Sequence, residues 1–308
     1  MTAPIPHPYY QAILDAYVAM GRPYFHQVTP AEARAMLRAS LAAAPPPAGL
    51  PELAEVTNET ISGPHGPIPI RRYVPRSARG TIVYFHAGGW VIGDLDFADA
   101  TCRRMAGATS AELISVDYRL APEHPFPQPL DDAFAALQWA ASQKPGPLLV
   151  MGESAGANLA AACAILARSK GLALTGQCLA YPVTDHDFCS GSYTEWGAKN
   201  WLLSTADMRW FWDHYAPPGV DRTNPLLSPL RIETAAGLPP AMLITGALDP
   251  LRDEVLAYAA KLQTAGVPVV SRCDEGMLHG YLGAAGAVPL AAEALAQMAG
   301  WIRERLDA

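Results

Sequence analysis

The residues Gly152-Glu153-Ser154-Ala155-Gly156 form a G-x-S-x-G pattern between an apolar run, Leu148–Met151, and an alanine-rich stretch, Ala155–Arg168. A strand that turns this sharply into a helix leaves no room for side chains at the two glycines. It holds the central serine hydroxyl strained and exposed above a sheet. A serine hydroxyl is a weak nucleophile; it needs a base, and the base needs a carboxylate to orient it. On such a sheet the partners follow in the order serine, acid, histidine. Asp249 stands just past the apolar run Ala241–Thr245, at the carboxyl end of a strand, where open α/β sheets handle their ligands. Asp253 is the alternative acid, but with Glu254 it suits the first turn of a helix better. His279 is the only histidine after Asp249 and so is the candidate base. Together these residues point to acyl transfer through an ester on Ser154.

That chemistry builds negative charge on an oxygen, and preorganised donors must meet it. Ala155 follows the serine, so its backbone N–H is one candidate. The other is the loop His86-Ala87-Gly88-Gly89-Trp90, whose side-chain-free residues let backbone N–H groups approach a substrate closely.

The elements that must position these groups read as an alternating α/β chain. Strands are expected at Glu55–Ile61, Pro69–Val74, Thr81–Phe85, Leu113–Tyr118, Leu148–Met151, Gly176–Tyr181, Ala241–Thr245 and Pro268–Cys273. Only the turn Gly63-Pro64-His65-Gly66 separates the first two, which predicts an antiparallel hairpin. Helical patterning such as Leu130–Ser142 separates most later strands, which predicts parallel pairing through crossover helices. The first 50 residues read as two helices, the second opened by Pro30 and a Thr29–Glu32 capping box. The expected organisation is N-terminal cap helices at 1–50 and a catalytic domain at 51–308. The catalytic domain carries an aromatic-rich insertion at about 184–229 that serves as a lid or pocket element.

Composition narrows the function further. The 308 residues carry a net charge of −7 with no Lys/Arg cluster, which argues against a nucleic-acid partner. No apolar run approaches the ~20 residues of a membrane span. Residues 1–21 contain no Lys or Arg, unlike the start of a secretory signal. The five cysteines are scattered without a C-x-x-C pair, as expected of reduced thiols in a cytoplasmic protein.

Taken in order, the blocks His86–Trp90, Val116-Asp117-Tyr118-Arg119-Leu120-Ala121-Pro122-Glu123, Gly152–Gly156, Asp249-Pro250-Leu251-x-Asp253-Glu254 and His279-Gly280 resemble the hormone-sensitive-lipase-like family of bacterial esterases. The resemblance spans roughly residues 70–285. It implies an α/β-hydrolase fold with an eight-stranded, mostly parallel sheet and a helical cap. It also implies hydrolysis of short- to medium-chain acyl esters without cofactor or metal. Gly88, Gly89 and Ala155 become the oxyanion donors. Two positions depart from the family: Ala87 stands for a glycine, and Glu153 stands where Asp is commoner. Glu153 is expected to anchor the Tyr118–Glu123 loop. An amidase or formamidase would use the same triad. A non-catalytic ligand receptor on this fold is the other alternative, and the presence of His279 counts against it.

The pocket is expected from the aromatic and apolar side chains Trp90, Trp201, Leu203, Phe211 and Trp212. A homodimer is expected through the strand 268–273, at an edge of the sheet. Several reactive residues read as structural. His86 braces its own loop, Asp117, Arg119 and Glu123 form an internal network, and Cys163 fills space behind Ser154. Asp185, His186 and Asp187 belong to a polar loop.

Overall fold

The computed structural model describes residues 5–307; residues 1–4 of the expected cap region and Ala308 lie outside the described residues. Two helices come first, α1 (Pro8–Ala19) and α2 (Pro30–Ala43). Thr29 and Glu32 form the expected capping box, each side chain meeting the other's backbone N–H. The alternating part follows as β1 (Glu55–Ile61), β2 (Ile68–Val74), β3 (Thr81–Phe85), α3 (Leu95–Thr109), β4 (Glu112–Val116), α4 (Gln128–Gln143), β5 (Leu148–Glu153), α5 (Ala155–Lys170) and β6 (Gly176–Ala180). Then come α6 (Gly191–Glu195) and α7 (Thr205–Tyr215), and last β7 (Ala241–Gly246), α8 (Arg252–Thr264), β8 (Val269–Asp274) and α9 (Pro289–Leu306).

The eight strands form one sheet in the order β1-β2-β4-β3-β5-β6-β7-β8. β1 and β2 make the expected antiparallel hairpin, and β2 is antiparallel to β4 as well. Every other pair is parallel. The largest departures in strand ends are in β4, which stops at Val116 rather than Tyr118, and β5, which runs on through Glu153. β6, β7 and β8 end one residue from expectation, at Ala180, Gly246 and Asp274.

Side chains alternate across the pleat, so each central strand feeds two cores. Val83, Phe85, Ile114 and Val150 face α4 and α5. Ile82, Tyr84, Leu149 and Met151 face α3 and α9. With both faces covered, the central strands read as continuous apolar runs rather than alternating ones. The sheet thus becomes a rigid platform with its parallel strand ends along one rim.

The N-terminal segment and the insertion meet over that rim. The Phe25 ring packs on Phe211 of α7 with centroids 5.4 Å apart. Asp207, 1% exposed, accepts the His26 backbone N–H at 3.0 Å and contacts His26 Nδ1 at 2.8 Å. Arg34 of α2 donates to the carbonyls of Val91 and Ala121, both at 2.8 Å, and pairs with Glu123 at 2.6 Å.

Candidate active site

Ser154 sits at the turn from β5 into α5 with φ +54° and ψ −119°, a backbone region most non-glycine residues avoid. The glycines around it are dictated by space. A Cβ at Gly152 would lie 2.2 Å from the Gly156 carbonyl oxygen, and one at Gly156 would lie 2.1 Å from that of Phe85. The Ser154 N–H is tied to Ala180 O at 2.9 Å, which locks the turn to β6.

The structure brings the three expected residues into one hydrogen-bonded line. His279 Nε2 lies 2.8 Å from Ser154 Oγ, and His279 Nδ1 lies 2.8 Å from Asp249 Oδ2. Asp249 is fully buried, and its other carboxylate oxygen accepts the Leu251 N–H at 2.8 Å. With Nδ1–H donating to the carboxylate, Nε2 presents its lone pair to the serine hydroxyl. Asp253 lies outside this line: it accepts the Ser192 N–H at 2.8 Å, while the neighbouring Glu254 accepts that of Thr184 at 2.7 Å. Both carboxylates tie the start of the insertion to the first turn of α8.

The loop after β3 packs against the same site. Gly88 has φ +128° and Gly89 has φ +56°; a Cβ on Gly88 would meet the Ile92 carbonyl oxygen at 2.0 Å, and one on Gly89 the Phe211 ring at 2.1 Å. Ala87 is outside the positive-φ region, so its methyl is accommodated. The N–H groups of Gly88, Gly89 and Ala155 have no acceptor among the described residues. His86 Nδ1 lies 2.7 Å from Ala87 O, and its ring stacks on Tyr118 at 4.3 Å. Burial lowers its pKa to about 4, so the ring braces the loop in its neutral form.

The expected pocket residues divide. Trp201 borders a cavity of about 670 Å³ that Tyr17, Phe25 and Met36 also line. Phe211 is the partner of Phe25 and covers Gly89, so it stands between that cavity and the oxyanion loop. Trp90 and Trp212 are corrections to the expected pocket. Both are fully buried and meet at 5.2 Å, and Trp90 stacks on Tyr215 at 4.3 Å. Stacking removes more ring surface from water than a cavity wall would, and it buttresses the loop from behind. Leu203 is buried in the same core.

Two further expectations are corrected. Glu153 does not reach the Tyr118–Glu123 loop. It points to the opposite face of the sheet and accepts the Tyr84 hydroxyl at 2.7 Å and the Tyr181 hydroxyl at 2.5 Å. Asp117, Arg119 and Glu123 do not form one network either: Arg119 pairs with Asp132, and Glu123 pairs with Arg34. Pairing with Arg34 holds the Glu123 carboxyl down at about 2. Asp185 pairs with Arg231 at 2.6 Å, and Asp187 accepts the Cys189 N–H. Sequence reasoning passed over Tyr181, whose ring packs edge-on against His279 at 4.9 Å; a tyrosine closing an apolar strand carries no motif.

The family model for the alpha/beta hydrolase fold matches residues 82–283. The chain is 41% identical over 258 residues to an esterase of Mycobacterium tuberculosis, covering 79% of this chain and 80% of that one. It is 42% identical over 243 residues to a carboxylic ester hydrolase of the same organism, covering 74% of this chain and 64% of that protein's length. Among solved structures, a hyperthermophilic esterase from the archaeon Pyrobaculum calidifontis superposes with a TM-score of 0.92 at 34% identity, covering 99% of this chain and 100% of that one.

Proposed function

The chain belongs to the hormone-sensitive-lipase-like family of carboxylic ester hydrolases on the alpha/beta-hydrolase fold, and from that premise we propose that it cleaves short- to medium-chain acyl esters through an acyl-enzyme on Ser154. The observation that carries this reading is the continuous line Ser154 Oγ, His279, Asp249, with both contacts at 2.8 Å.

In the first half-reaction His279 Nε2 takes the hydroxyl proton as Ser154 Oγ attacks the ester carbonyl carbon. The oxygen becomes an oxyanion facing the N–H groups of Gly88, Gly89 and Ala155, each such donor contributing about 3–4 kcal/mol. Collapse expels the alkoxide, which leaves with the proton from the imidazolium. In the second half-reaction His279 takes a proton from water as the water oxygen attacks the acyl carbon, and on collapse the imidazolium returns that proton to Ser154 Oγ while the acid departs. Asp249 keeps Nδ1 protonated throughout and stabilises the imidazolium.

The N-terminal helices and the insertion act as the cap, which the Phe25–Phe211 and His26–Asp207 contacts support. The acyl chain lies beside Phe211, which separates Gly89 from the cavity lined by Trp201 and Phe25. Each methylene that fits adds up to ~0.8 kcal/mol, and a chain longer than the space must displace packed rings at ~1–3 kcal/mol. A rate panel of nitrophenyl esters from acetyl to palmitoyl, with a nitroanilide included, tests this. Rates should peak at roughly two to eight acyl carbons, and the anilide should be far slower. Rates that rise to palmitoyl, or favour the anilide, would contradict it.

β8 lies at the sheet edge with Val270 exposed, which supports a homodimer through that strand; a monomer at all concentrations by light scattering would refute it. Five free cysteines, three of them buried, suit a reducing compartment such as the cytoplasm.

A further inference from the structure

One hydrogen bond to Asp249 fixes where the His279 ring is attached but not how it is turned. The imidazole can still hinge about the Nδ1 contact, and the hinge sweeps Nε2 away from Ser154 Oγ. A second contact is needed to hold the ring plane.

Tyr181 offers that contact. It follows β6 directly and is fully buried, with its ring 4.9 Å from the His279 ring at 61° between planes. Its backbone has φ +37°, a strained conformation for a bulky aromatic residue, and its N–H is bound to Ile244 O at 2.6 Å. Its hydroxyl donates to Glu153, the residue before the nucleophile, at 2.5 Å. The other Glu153 oxygen accepts the Tyr84 hydroxyl at 2.7 Å. In the sheet order β3-β5-β6, the glutamate at the end of β5 therefore takes one phenol from the strand on each side. Burial, and then the Glu153 charge beside them, push both phenols well above their ordinary pKa, so both remain donors.

We propose that Tyr181, clamped by Glu153, is a positioning residue that holds the His279 imidazole in line with Ser154. The proposal rests on His279 being the general base. The nucleophile and the wall behind its base then share one carboxylate: β5 delivers Ser154 upward and Glu153 downward, and Glu153 fixes the ring that limits the swing of His279. Glutamate at position 153 has the reach to meet both phenols.

The test compares Tyr181→Phe, Tyr181→Leu, Glu153→Gln and the Tyr181→Phe/Glu153→Gln double variant in the full chain, with His279→Ala as the floor. Kinetics on nitrophenyl butyrate are read beside melting temperature. Tyr181→Leu removes the wall and should lower kcat by about 100-fold with KM within about threefold. Tyr181→Phe keeps the ring and should recover most of that loss, leaving kcat down about three- to tenfold. Glu153→Gln should match Tyr181→Phe, and the double variant should be no worse than either alone, because both remove one clamp. If Tyr181→Leu fails to fold, the phenylalanine and glutamine variants decide the matter alone. A kcat within twofold of wild type in folded Tyr181→Leu, or additive losses in the double variant, would overturn the proposal. So would losses that follow melting temperature and fall equally on kcat and KM. Activity retained in His279→Ala would instead sink the triad reading on which the proposal rests.

Discussion

Gly246 lies against the carbonyl oxygen of Met277 so closely that a Cβ on the glycine would stand 2.3 Å from it. The contact is one stitch of three between the loop carrying Asp249 and the loop carrying His279. Ala247 N–H donates to Asp274 O at 2.8 Å, and Leu248 N–H donates to Met277 O at 3.1 Å. Backbone bonds thus set the two loops relative to each other before any side chain meets. The 2.8 Å contact of His279 with Asp249 is a consequence of that lacing.

Two aspartates four residues apart should therefore respond differently to the same change. Asp249→Asn leaves the shape intact but offers His279 the wrong hydrogen-bond partner, and should lower kcat by about 10⁴-fold. Asp253→Asn loosens the hold on Ser192 and should lower the melting temperature while kcat stays within a few-fold of wild type. Steady-state kinetics paired with thermal melts on both variants check this, and the reverse pattern would contradict the assignment.

The oxyanion loop makes an opposed pair of predictions. Gly89→Ala drives a methyl into Phe211 at a positive φ, and should cost kcat about 10- to 1000-fold by displacing a donor. Ala87→Gly introduces freedom where none is needed. It should leave kcat within about twofold and lower stability by about 0.4–1 kcal/mol, chiefly through the unfolded chain. Comparing kcat and denaturant midpoints of the two variants tests whether the loop conformation is what matters.

His86 gives the molecule a pH dependence. Its folded pKa, about 4, lies below the ordinary 6.5, so below pH 6.5 the unfolded chain binds a proton that the native state refuses. Its contribution is fully present above 6.5 and is lost as pH falls toward 4. The loss approaches about 1.4 kcal/mol per pH unit. Unfolding free energies of wild type and His86→Gln, measured from pH 7 to 4, should converge by that slope as pH falls. Parallel curves would show that His86 takes up its proton as readily in the folded protein as in the unfolded chain.

Much of this arrangement was legible in the sequence because its signals are local. The elbow glycines, the Thr29–Glu32 box, and the order Ser154, Asp249, His279 each follow from spacing along the chain. The bounds of β1 and β3 came out as expected for the same reason. What was not legible depends on which strands become neighbours. Glu153 was assigned to the wrong loop because its side-chain face is set by β5 lying between β3 and β6. Trp90 and Trp212 were assigned to a pocket because an aromatic ring reads the same in a cavity wall as in a stack. Tyr181 was missed because only the third dimension puts it beside His279.

The central claim is that catalysis runs through Ser154 Oγ, and kcat/KM of Ser154→Ala on nitrophenyl butyrate tests it most directly. The turn accepts the smaller side chain, so the variant should fold with a melting temperature close to wild type. Its kcat/KM should fall by about 10⁴- to 10⁶-fold. A folded Ser154→Ala protein that kept even about a tenth of wild-type activity, far above the residue left when a triad member is removed, would contradict the account.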